Sequence, residues 1–307
     1  MRLVVSVTRK ISAQLIEEKI VSEIAWKAQI EFLSNENLCV TFDNILDCMH
    51  KIFLILFLFS SSHIFSQQRL YTTANAHSHN DYEKPLPFVE AYNQQFGSIE
   101  ADVFLIPGSN ELFVAHYRTD IDKKKRTLDS LYLVPLANRI RQNKGFVYAD
   151  TTRTLQLMID IKTEALKTLD RLINILQKYP DIIHSRTLKL VISGNRPAAD
   201  SFYVYPSFIQ FDGVVGTEYP SRALSKIAMM SAPFTQFSKW NGRDTIPVND
   251  KAKIVSAIAS SHQYNKPIRF WGAPDTNEAW SELIRLGVDY INTDRIADLS
   301  GYLKNNR

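Results

Sequence analysis

The chain has 307 residues, of which 45% are hydrophobic and 22% are charged, the composition of a folded globular protein rather than a disordered one. Its net charge of +4 is spread along the sequence instead of being gathered into a long Lys/Arg block. The composition therefore excludes a polybasic nucleic-acid-binding arm, and we expect no nucleic-acid partner.

A secretory signal peptide is predicted at residues 49–66. The segment begins with Met-His-Lys, continues with an apolar run over residues 52–59 and ends in a small residue, Ser66. The apolar run is too short to cross a bilayer, which takes about 20 residues. Because such a signal stands at the start of a protein, we interpret residues 1–48 as a spurious upstream extension. A signal anchor with a short cytoplasmic tail is the alternative interpretation.

The mature protein is therefore expected to comprise residues 67–307 and to be exported, either to a periplasm or out of the cell. Both cysteines of the sequence, Cys39 and Cys48, precede the predicted cleavage point. Disulfide bonds, thiol catalysis and cysteine metal sites are thus excluded for the mature protein.

From residue 67 onward, short apolar or β-branched runs alternate with longer amphipathic stretches, which is the pattern of repeated βα units. Eight strands are predicted, at residues 75–80, 98–105, 155–162, 188–193, 208–215, 227–231, 267–272 and 288–292. The clearer helices are predicted at residues 87–95, 130–143, 164–178, 250–264 and 277–286. A further short strand at residues 111–116 is expected to form a hairpin with the second strand.

Eight strands in roughly 240 residues match the typical size of a (β/α)8 barrel. The predicted fold class is therefore α/β, a single-domain TIM-type (β/α)8 barrel over residues 67–307. A doubly wound open sheet is the alternative. It would need a Gly-rich turn after its first strand, and the whole chain has only 10 glycines.

Imidazole and carboxylate side chains occur in pairs on the first two predicted strands. His77 and His79 lie two residues apart on the first strand, as Glu100 and Asp102 do on the second. Residues at positions i and i+2 of a strand project to the same face. Barrel enzymes carry their chemistry at the carboxyl ends of the strands. We therefore expect both pairs at the mouth of the barrel.

Asp160 adds a third carboxylate at the end of the next barrel strand. Two carboxylates about 4 Å apart repel each other by on the order of 4 kcal/mol at an effective dielectric constant of about 20. A hard divalent cation, Mg²⁺ or Ca²⁺, would relieve this repulsion through oxygen ligands. Ion pairs of the acids with Lys162 or Arg269 are the alternative.

Six short motifs follow one another in the same strand contexts. They are Ala-His-Ser-His-Asn-Asp-Tyr at 76–82, Ile-Glu-Ala-Asp-Val at 99–103, Val-Ala-His at 114–116, Ile-Asp-Ile-Lys at 159–162, Arg-Phe-Trp at 269–271 and Asn-Thr-Asp at 292–294. In this order they resemble the motifs of the glycerophosphodiester phosphodiesterase and phosphatidylinositol-specific phospholipase C superfamily. The resemblance covers nearly the whole of residues 74–303. Each motif alone is weak, and the shared order makes the signal specific.

The resemblance implies two histidines that act as general acid and base, and carboxylates that hold Mg²⁺ or Ca²⁺ against the phosphate. The catalytic residues it implies are His79, His116 and His77, and the metal ligands are Glu100, Asp102, Asp160 and Asn80. The choice between His77 and His79 stays open, with His79 preferred and His77 as a supporting or substrate contact. Substrate binding is expected from the barrel-end residues Lys162, Arg269, Trp271, Lys239 and Asn195, and further candidates are Ser193, Arg196, Asp212, Trp240 and Asp294.

The chain departs from the glycerophosphodiesterase pattern in three places. Ser78 stands where those enzymes carry arginine, Tyr117 where they carry aspartate, and Asp160 where they carry glutamate. The His79-Asn80 pair is instead similar to the eukaryotic phospholipase C enzymes, and Asp160 is similar to the venom sphingomyelinase D enzymes. The natural substrate is therefore left open by the resemblance.

The predicted function is metal-dependent hydrolysis of a phosphoric diester, with a glycerophosphodiester or a phospholipid-type head group as substrate. The expected partner is thus a small-molecule or lipid phosphodiester, with peripheral membrane contact through a lipid substrate. One alternative is an amidohydrolase-type metal hydrolase, which the His-Ser-His triplet at 77–79 resembles. The strands at 208–215 and 227–231 lack the further histidines that it would need. The other alternative is a non-catalytic barrel that binds phosphate or metal.

Overall fold

A computed structural model describes residues 69–121 and 126–306 of the protein. The extension predicted at 1–48 and the signal peptide predicted at 49–66 lie outside these residues. Residues Arg69–Arg307 form a compact unit. Within the described ranges, none of the helices is both long enough and apolar enough to cross a membrane.

The main strands are apolar runs buried on both faces, as expected for a parallel sheet that helices cover. The strand Leu155–Ile161, for example, has the sequence Leu-Gln-Leu-Met-Ile-Asp-Ile and is buried at every position except Asp160. In chain order, the strands of the described residues are β1 (Ala76–Ser78), β2 (Ser98–Leu105), β3 (Leu112–Val114), β4 (Leu155–Ile161), β5 (Leu188–Gly194), β6 (Ile209–Val214), β7 (Ile227–Pro233), β8 (Ile268–Trp271) and β9 (Ile291–Thr293).

These strands associate in the order β8-β7-β6-β5-β4-β2-β1-β9, and each neighbouring pair along this path is parallel. A parallel bridge between Arg269 of β8 and Tyr290, the residue before β9, brings the two edges of the sheet together. β3 pairs with β2 in antiparallel fashion. The result is a nearly closed, eight-stranded parallel barrel, so the predicted TIM-type fold and the predicted hairpin are confirmed.

The helices of the described residues are α1 (Val89–Asn93), α2 (Val134–Gln142), α3 (Ala165–Leu176), α4 (Pro180–Ile183), α5 (Ser221–Leu224), α6 (Val248–His262), α7 (Asn277–Leu286) and α8 (Ile296–Asn305). Each of the five predicted helices corresponds to one of them. The sequence reasoning missed α4, α5 and α8. The first two are single turns of four residues, too short for a 3.6-residue period to be recognised.

Helix α3 illustrates how the sequence fixes an element on the outside of the barrel. The Glu164 carboxylate accepts the backbone N–H groups of Leu166 and Lys167, which caps the first turn. The buried residues recur at spacings of three or four and so form one apolar face; they are Thr168, Leu169, Leu172, Ile175 and Leu176.

The interior of the barrel is filled below the level of the predicted site. Met158, Val191, Ala228 and Met229 form a small apolar cluster of their own, separate from the large core between strands and helices. Met158 lies two residues before Asp160 on β4, so both side chains point to the same face. The apolar cluster therefore closes the barrel from below and leaves its polar groups at the carboxyl ends of the strands.

Candidate active site

Three carboxylates meet at the mouth of the barrel. Glu100 and Asp102 lie on β2, and Asp160 on β4 stands in register with Asp102. One oxygen atom from each carboxylate lies within 4.8 Å of the other two. We call Glu100, Asp102 and Asp160 the acid triad. The structure thus brings together the three acids that the sequence singles out.

Two basic side chains already pair with the acid triad. Lys162 Nζ lies 2.9 Å from Asp102 Oδ2 and 3.1 Å from Asp160 Oδ1. Arg269 Nη1 lies 2.6 Å from Glu100 Oε2, and this pair is buried. The ion pairs considered as an alternative are therefore formed as well. Three acids against two bases leave a deficit of positive charge when all of them are ionised.

The pKa values of the acids reflect this deficit. Burial and the charge of Glu100 raise the pKa of Asp102 to about 7, although Lys162 opposes them. Burial also raises the pKa of Asp160. Burial acts in the same direction on Glu100, but Arg269 and the His77 hydrogen bond hold its pKa well below the usual range. A buried cluster of oxygen donors that is short of positive charge fits a hard divalent cation.

His77 is buried inside the barrel wall. Its Nδ1 atom lies 2.7 Å from Ser98 Oγ, and its Nε2 atom lies 2.7 Å from Glu100 Oε2. The Arg269 guanidinium also contacts Nε2. Burial and the charge of Arg269 lower the pKa of His77 to about 3. A neutral, fully buried imidazole of this kind is suited to positioning Glu100, not to exchanging protons with a substrate.

His79 has different surroundings because β1 ends at Ser78, two residues earlier than predicted. The i, i+2 rule holds only within a strand, and Asn80 next turns the chain with a φ of +48°. His79 Nδ1 lies 3.1 Å from Asp294 Oδ1. Burial lowers the pKa of His79, but the hydrogen bond to Asp294 and the charge of Glu100 outweigh it, so that the pKa is raised.

Tyr82 links His116 to the acid triad. Its hydroxyl lies 2.7 Å from Asp102 Oδ2, 2.8 Å from Asn80 Oδ1 and 3.0 Å from His116 Nδ1. A phenol has one hydrogen, and a carboxylate is the strongest of these acceptors, so Tyr82 donates to Asp102. In the tautomer that carries its hydrogen on Nδ1, the exposed His116 donates to the Tyr82 hydroxyl, and its Nε2 atom is then the acceptor.

The sequence reasoning did not single out Tyr82. Its only sequence signal is its place two residues after Asn80 in the first motif, and a buried tyrosine is usually a core residue. Asn80, predicted as a metal ligand, contacts His79, Asp294 and Tyr82. The Tyr82 hydroxyl therefore lies between the Asn80 amide and Asp102, and the role of Asn80 as a metal ligand stays a prediction.

A cavity of about 410 Å³ opens above the acid triad. The residues with a predicted catalytic, metal-binding or substrate-binding role that line it are His79, Glu100, Asp160, Lys162, Arg269 and Trp271. Trp271 remains 45% exposed. Further lining residues are Ser193, Arg196, Asp212 and Ser231. Ser231 was not singled out, although it ends a predicted strand at 227–231 and its position was therefore a usable signal.

Two predicted substrate contacts lie elsewhere. Asn195 donates to the backbone oxygen of Thr163 at 2.9 Å and lines a neighbouring surface pocket. Lys239 is exposed and is not among the residues that line the cavity above the acid triad. The roles of Asn195 and Lys239 in substrate binding stay predictions.

The fold is a nearly closed TIM-type barrel that carries a cluster of acids at its mouth. Residues 66–181 match the family model of the AIM6-like phosphodiesterase domain, and residues 267–295 match that of the Glycerophosphoryl diester phosphodiesterase family. The resemblance to the glycerophosphodiester phosphodiesterase superfamily, predicted from the motifs, is thereby confirmed.

Similar proteins include "Altered inheritance of mitochondria protein 6" of Kluyveromyces lactis, which is 27% identical over 303 residues and is matched over 74% of this chain and 72% of its own length. The homolog in Arthroderma benhamiae is 26% identical over 274 residues, with 74% and 82% covered. A glycerophosphodiester phosphodiesterase of Parabacteroides distasonis has a similar structure, with a TM-score of 0.51, 12% identity, and coverage of 76% of this chain and 97% of that one. At that identity, the structural likeness shows the fold alone.

Proposed function

We propose that the protein is a metal-dependent phosphoric diester hydrolase that acts on a glycerophosphodiester or a phospholipid-type head group. The observation that carries the proposal is the convergence of the acid triad within 4.8 Å, with Glu100 and Asp160 lining one cavity together with His79. The superfamily resemblance supports the same reaction. The names of the curated relatives state no activity. The argument for the substrate is therefore based on the site and on the superfamily resemblance.

The acid triad would hold the metal, and its oxygen donors favour Mg²⁺ or Ca²⁺ over softer ions. When bound, such a cation neutralises charge that develops on the phosphoryl oxygens. Lys162 is 32% exposed and lines the cavity, so its ammonium group can contact the phosphate. Arg269 is 3% exposed and paired with Glu100, and we assign it the task of positioning that carboxylate.

The histidines divide into two kinds in this proposal. His79 lines the cavity and has a raised pKa, which suits the group that protonates the leaving alkoxide. His116, with Nε2 as acceptor, suits the group that takes the proton of the attacking hydroxyl. His77 positions Glu100. The choice that the sequence left open between His77 and His79 is thus made in favour of His79.

The proposal is tested with the purified full chain and bis(p-nitrophenyl) phosphate, in the presence of Mg²⁺ or Ca²⁺ and after chelation. Metal-stimulated release of nitrophenol is expected. Asp160→Asn is expected to lower kcat/KM by roughly 100-fold or more, because a charged ligand is lost. Asp160 is preferred over Glu100 for this test, since Glu100→Gln would also leave the buried Arg269 without its carboxylate partner.

Glu282→Gln is the matched control, since Glu282 pairs with Arg285 on helix α7 and does not line the cavity above the acid triad. It should retain the activity of the unaltered chain. If no phosphodiester is hydrolysed with either metal, the proposed function is wrong and the non-catalytic barrel gains support. The amidohydrolase alternative is disfavoured, because the carboxyl ends of β6 and β7 place Asp212 and Ser231 in the cavity, not histidines.

We also retain export through residues 49–66 as a proposal, on the strength of the sequence pattern alone. Sequencing the N-terminus of the exported protein tests it, and a first residue near Gln67 is the expected result. Contact with a membrane through a lipid substrate is a further proposal, tested by sedimentation with phospholipid vesicles.

A further inference from the structure

Four cations lie at the amino ends of neighbouring barrel strands. Arg153 lies two residues before β4, Lys189 is the second residue of β5, Lys226 directly precedes β7, and Lys266 lies two residues before β8. Because these strands are parallel, all four positions are at the same end of the barrel, opposite the acid triad. We call Arg153, Lys189, Lys226 and Lys266 the basic end.

The charges of the basic end are not neutralised by ion pairs within the described residues. Lys226 and Lys266 donate to backbone oxygens, and Arg153 donates to threonine hydroxyls and to one backbone oxygen. Neutral acceptors of this kind satisfy a hydrogen bond but leave the positive charge in place. Lys189 is exposed and repels Lys266, and burial together with this repulsion lowers the pKa of Lys266.

The carboxylates near this end do little to offset the charge. Asp181 pairs with Arg141, and the buried Asp289 pairs with Arg69. Asp150 adds one negative charge on the exposed turn before β4. Further exposed cations lie in the connections that lead into β4 and β5, namely Lys144, Lys178 and Arg186. A net positive charge therefore remains on this end of the barrel.

The mouth of the barrel differs in this respect. Its cations Lys162 and Arg269 are paired with the acid triad. The unpaired cations of the basic end follow the arc of strands from β4 to β8. Neighbouring strands are about 5 Å apart, so the arc runs over roughly 20 Å. Such a width is too large for one phosphate ion and matches a surface that carries several anionic groups.

Two exposed aliphatic side chains accompany the basic end. Leu70 is 62% exposed and Val204 is 63% exposed. Val204 directly precedes Tyr205, whose backbone oxygen accepts Lys226, and Leu70 follows Arg69 at the start of the barrel. A bilayer interface takes up aliphatic groups beside basic ones. A nucleic acid is bound mainly through its phosphates and gives aliphatic groups little to pack against. The combination favours a membrane surface.

We propose that the basic end binds the surface of a bilayer that contains anionic phospholipids. Clusters of roughly four to eight Lys/Arg side chains are attracted to such surfaces. This contact differs from one made through a lipid substrate, because it uses the end of the barrel opposite the acid triad. A molecule bound in this way turns its mouth to the water. If the proposed function holds, a soluble glycerophosphodiester reaches the mouth, whereas a phospholipid of the same bilayer does not.

The test is sedimentation of the purified full chain with two kinds of vesicle. One kind contains phosphatidylcholine alone, and the other also contains about 30% phosphatidylglycerol, both at about 0.1 M salt. The neutral vesicles measure binding that does not depend on charge, such as binding by the apolar run at 52–59. The anionic vesicles are expected to bind the protein roughly 10-fold or more tightly. About 0.5 M salt should remove the difference through screening.

Matched substitutions at the two ends of the barrel locate the contact. Lys189→Glu is expected to weaken binding to the anionic vesicles by roughly 10-fold, because an exposed cation becomes an anion. Lys189→Arg keeps the charge and should bind like the unaltered protein. Lys189→Gln should give an intermediate affinity even if Lys189→Glu folds poorly. Lys167→Glu is the control, since Lys167 is also exposed but lies in the first turn of α3, at the mouth end. It should leave binding unchanged.

Several outcomes would overturn the inference. Equal binding to neutral and anionic vesicles would do so, as would equal weakening by Lys189→Glu and Lys167→Glu. Tighter binding to a short duplex DNA than to anionic vesicles, at equal phosphate concentration, would assign the basic end to nucleic acid instead.

Hydrolysis of bis(p-nitrophenyl) phosphate separates this inference from the proposed function. Vesicle-bound protein should hydrolyse the diester as fast as free protein, and a loss of activity on binding would show that the mouth faces the bilayer, which overturns the inference. If no diester is hydrolysed even without vesicles, the proposed function fails, and the sedimentation results still decide the inference.

Discussion

The two ends of the barrel treat buried charge in opposite ways. At the carboxyl end, the acid triad crowds three like charges within 4.8 Å of one another. At the amino end, a single buried acid, Asp289, has a full set of donors. It accepts His262 Nε2 at 2.7 Å and the backbone N–H of Ile268 at 2.8 Å, and it pairs with Arg69. These contacts join the start of the barrel, the end of α6 and the start of β8.

The contrast associates the carboxyl end of the barrel with function and the amino end with stability. A carboxylate that is satisfied on all sides stabilises the folded chain, whereas crowded carboxylates and unpaired polar atoms cost folding free energy. Such costs persist where the chemistry of a site requires them. We therefore expect substitutions at the mouth to change activity first, and substitutions at the amino end to change stability first.

A pair of histidine substitutions gives the largest expected effect. His79→Gln should lower kcat/KM by roughly 100- to 10,000-fold, because a general acid is lost, with little change in Tm. His262→Gln should instead lower the free energy of unfolding by about 1 kcal/mol, since Asp289 loses one donor, and should keep kcat/KM. Phosphodiesterase assays and thermal unfolding measure both. A loss of activity in His262→Gln, or unchanged activity in His79→Gln, would contradict this division between the two ends of the barrel.

A pair of glycine substitutions tests how closely the mouth is fitted. Gly194 has a φ of +67°, and an added Cβ would lie 2.2 Å from Asp160 Oδ1. Gly216 has a φ of +81° with open space around it. Both Gly→Ala changes should destabilise the fold by about 1 kcal/mol through backbone strain. Only Gly194→Ala should also displace Asp160 and lower kcat/KM, by roughly 100-fold. Equal activities in the two variants would contradict this account.

Divalent cations should raise Tm by a few degrees, and more at pH 8 than at pH 6. In the folded, metal-free protein Asp102 has a pKa of about 7, above the ordinary value of 3.8 for an aspartate. Folding therefore takes up a proton, and stability falls as the pH rises from about 4 to about 7. Above that range the carboxylate is ionised and ready to bind a cation. Thermal unfolding with and without Mg²⁺ or Ca²⁺ measures the shift, and equal shifts at both pH values would speak against an acid-triad metal site.

Much of the fold could be predicted because the strands and helices of a parallel barrel have recognisable local sequence patterns. Most of the buried strands are apolar runs of four to eight residues, and α3 shows its apolar face at regular spacing. The end of β1 could not be placed, because the chain leaves the strand through the positive φ of Asn80, and asparagine also occurs within extended segments.

The acids of the site could be predicted from their spacing along β2 and β4, whereas the partners that set their properties could not. His79 meets Asp294 across 215 positions of the chain, and Arg269 reaches Glu100 across 169. Such contacts follow from barrel closure and from side-chain packing, which no local pattern encodes. The same reason explains why Tyr82 was missed.

Arg269 also belongs to the seam at which the barrel wall closes. A parallel bridge between Arg269 and Tyr290 lies at this seam, and the same arginine pairs with Glu100 across the interior. If the barrel wall opens locally at this point, the Arg269 guanidinium moves away from Glu100. A bound phosphodiester that keeps Arg269 and Glu100 together would therefore stabilise the closed barrel against local opening. Slower amide hydrogen exchange in β8 and β9 would show this effect.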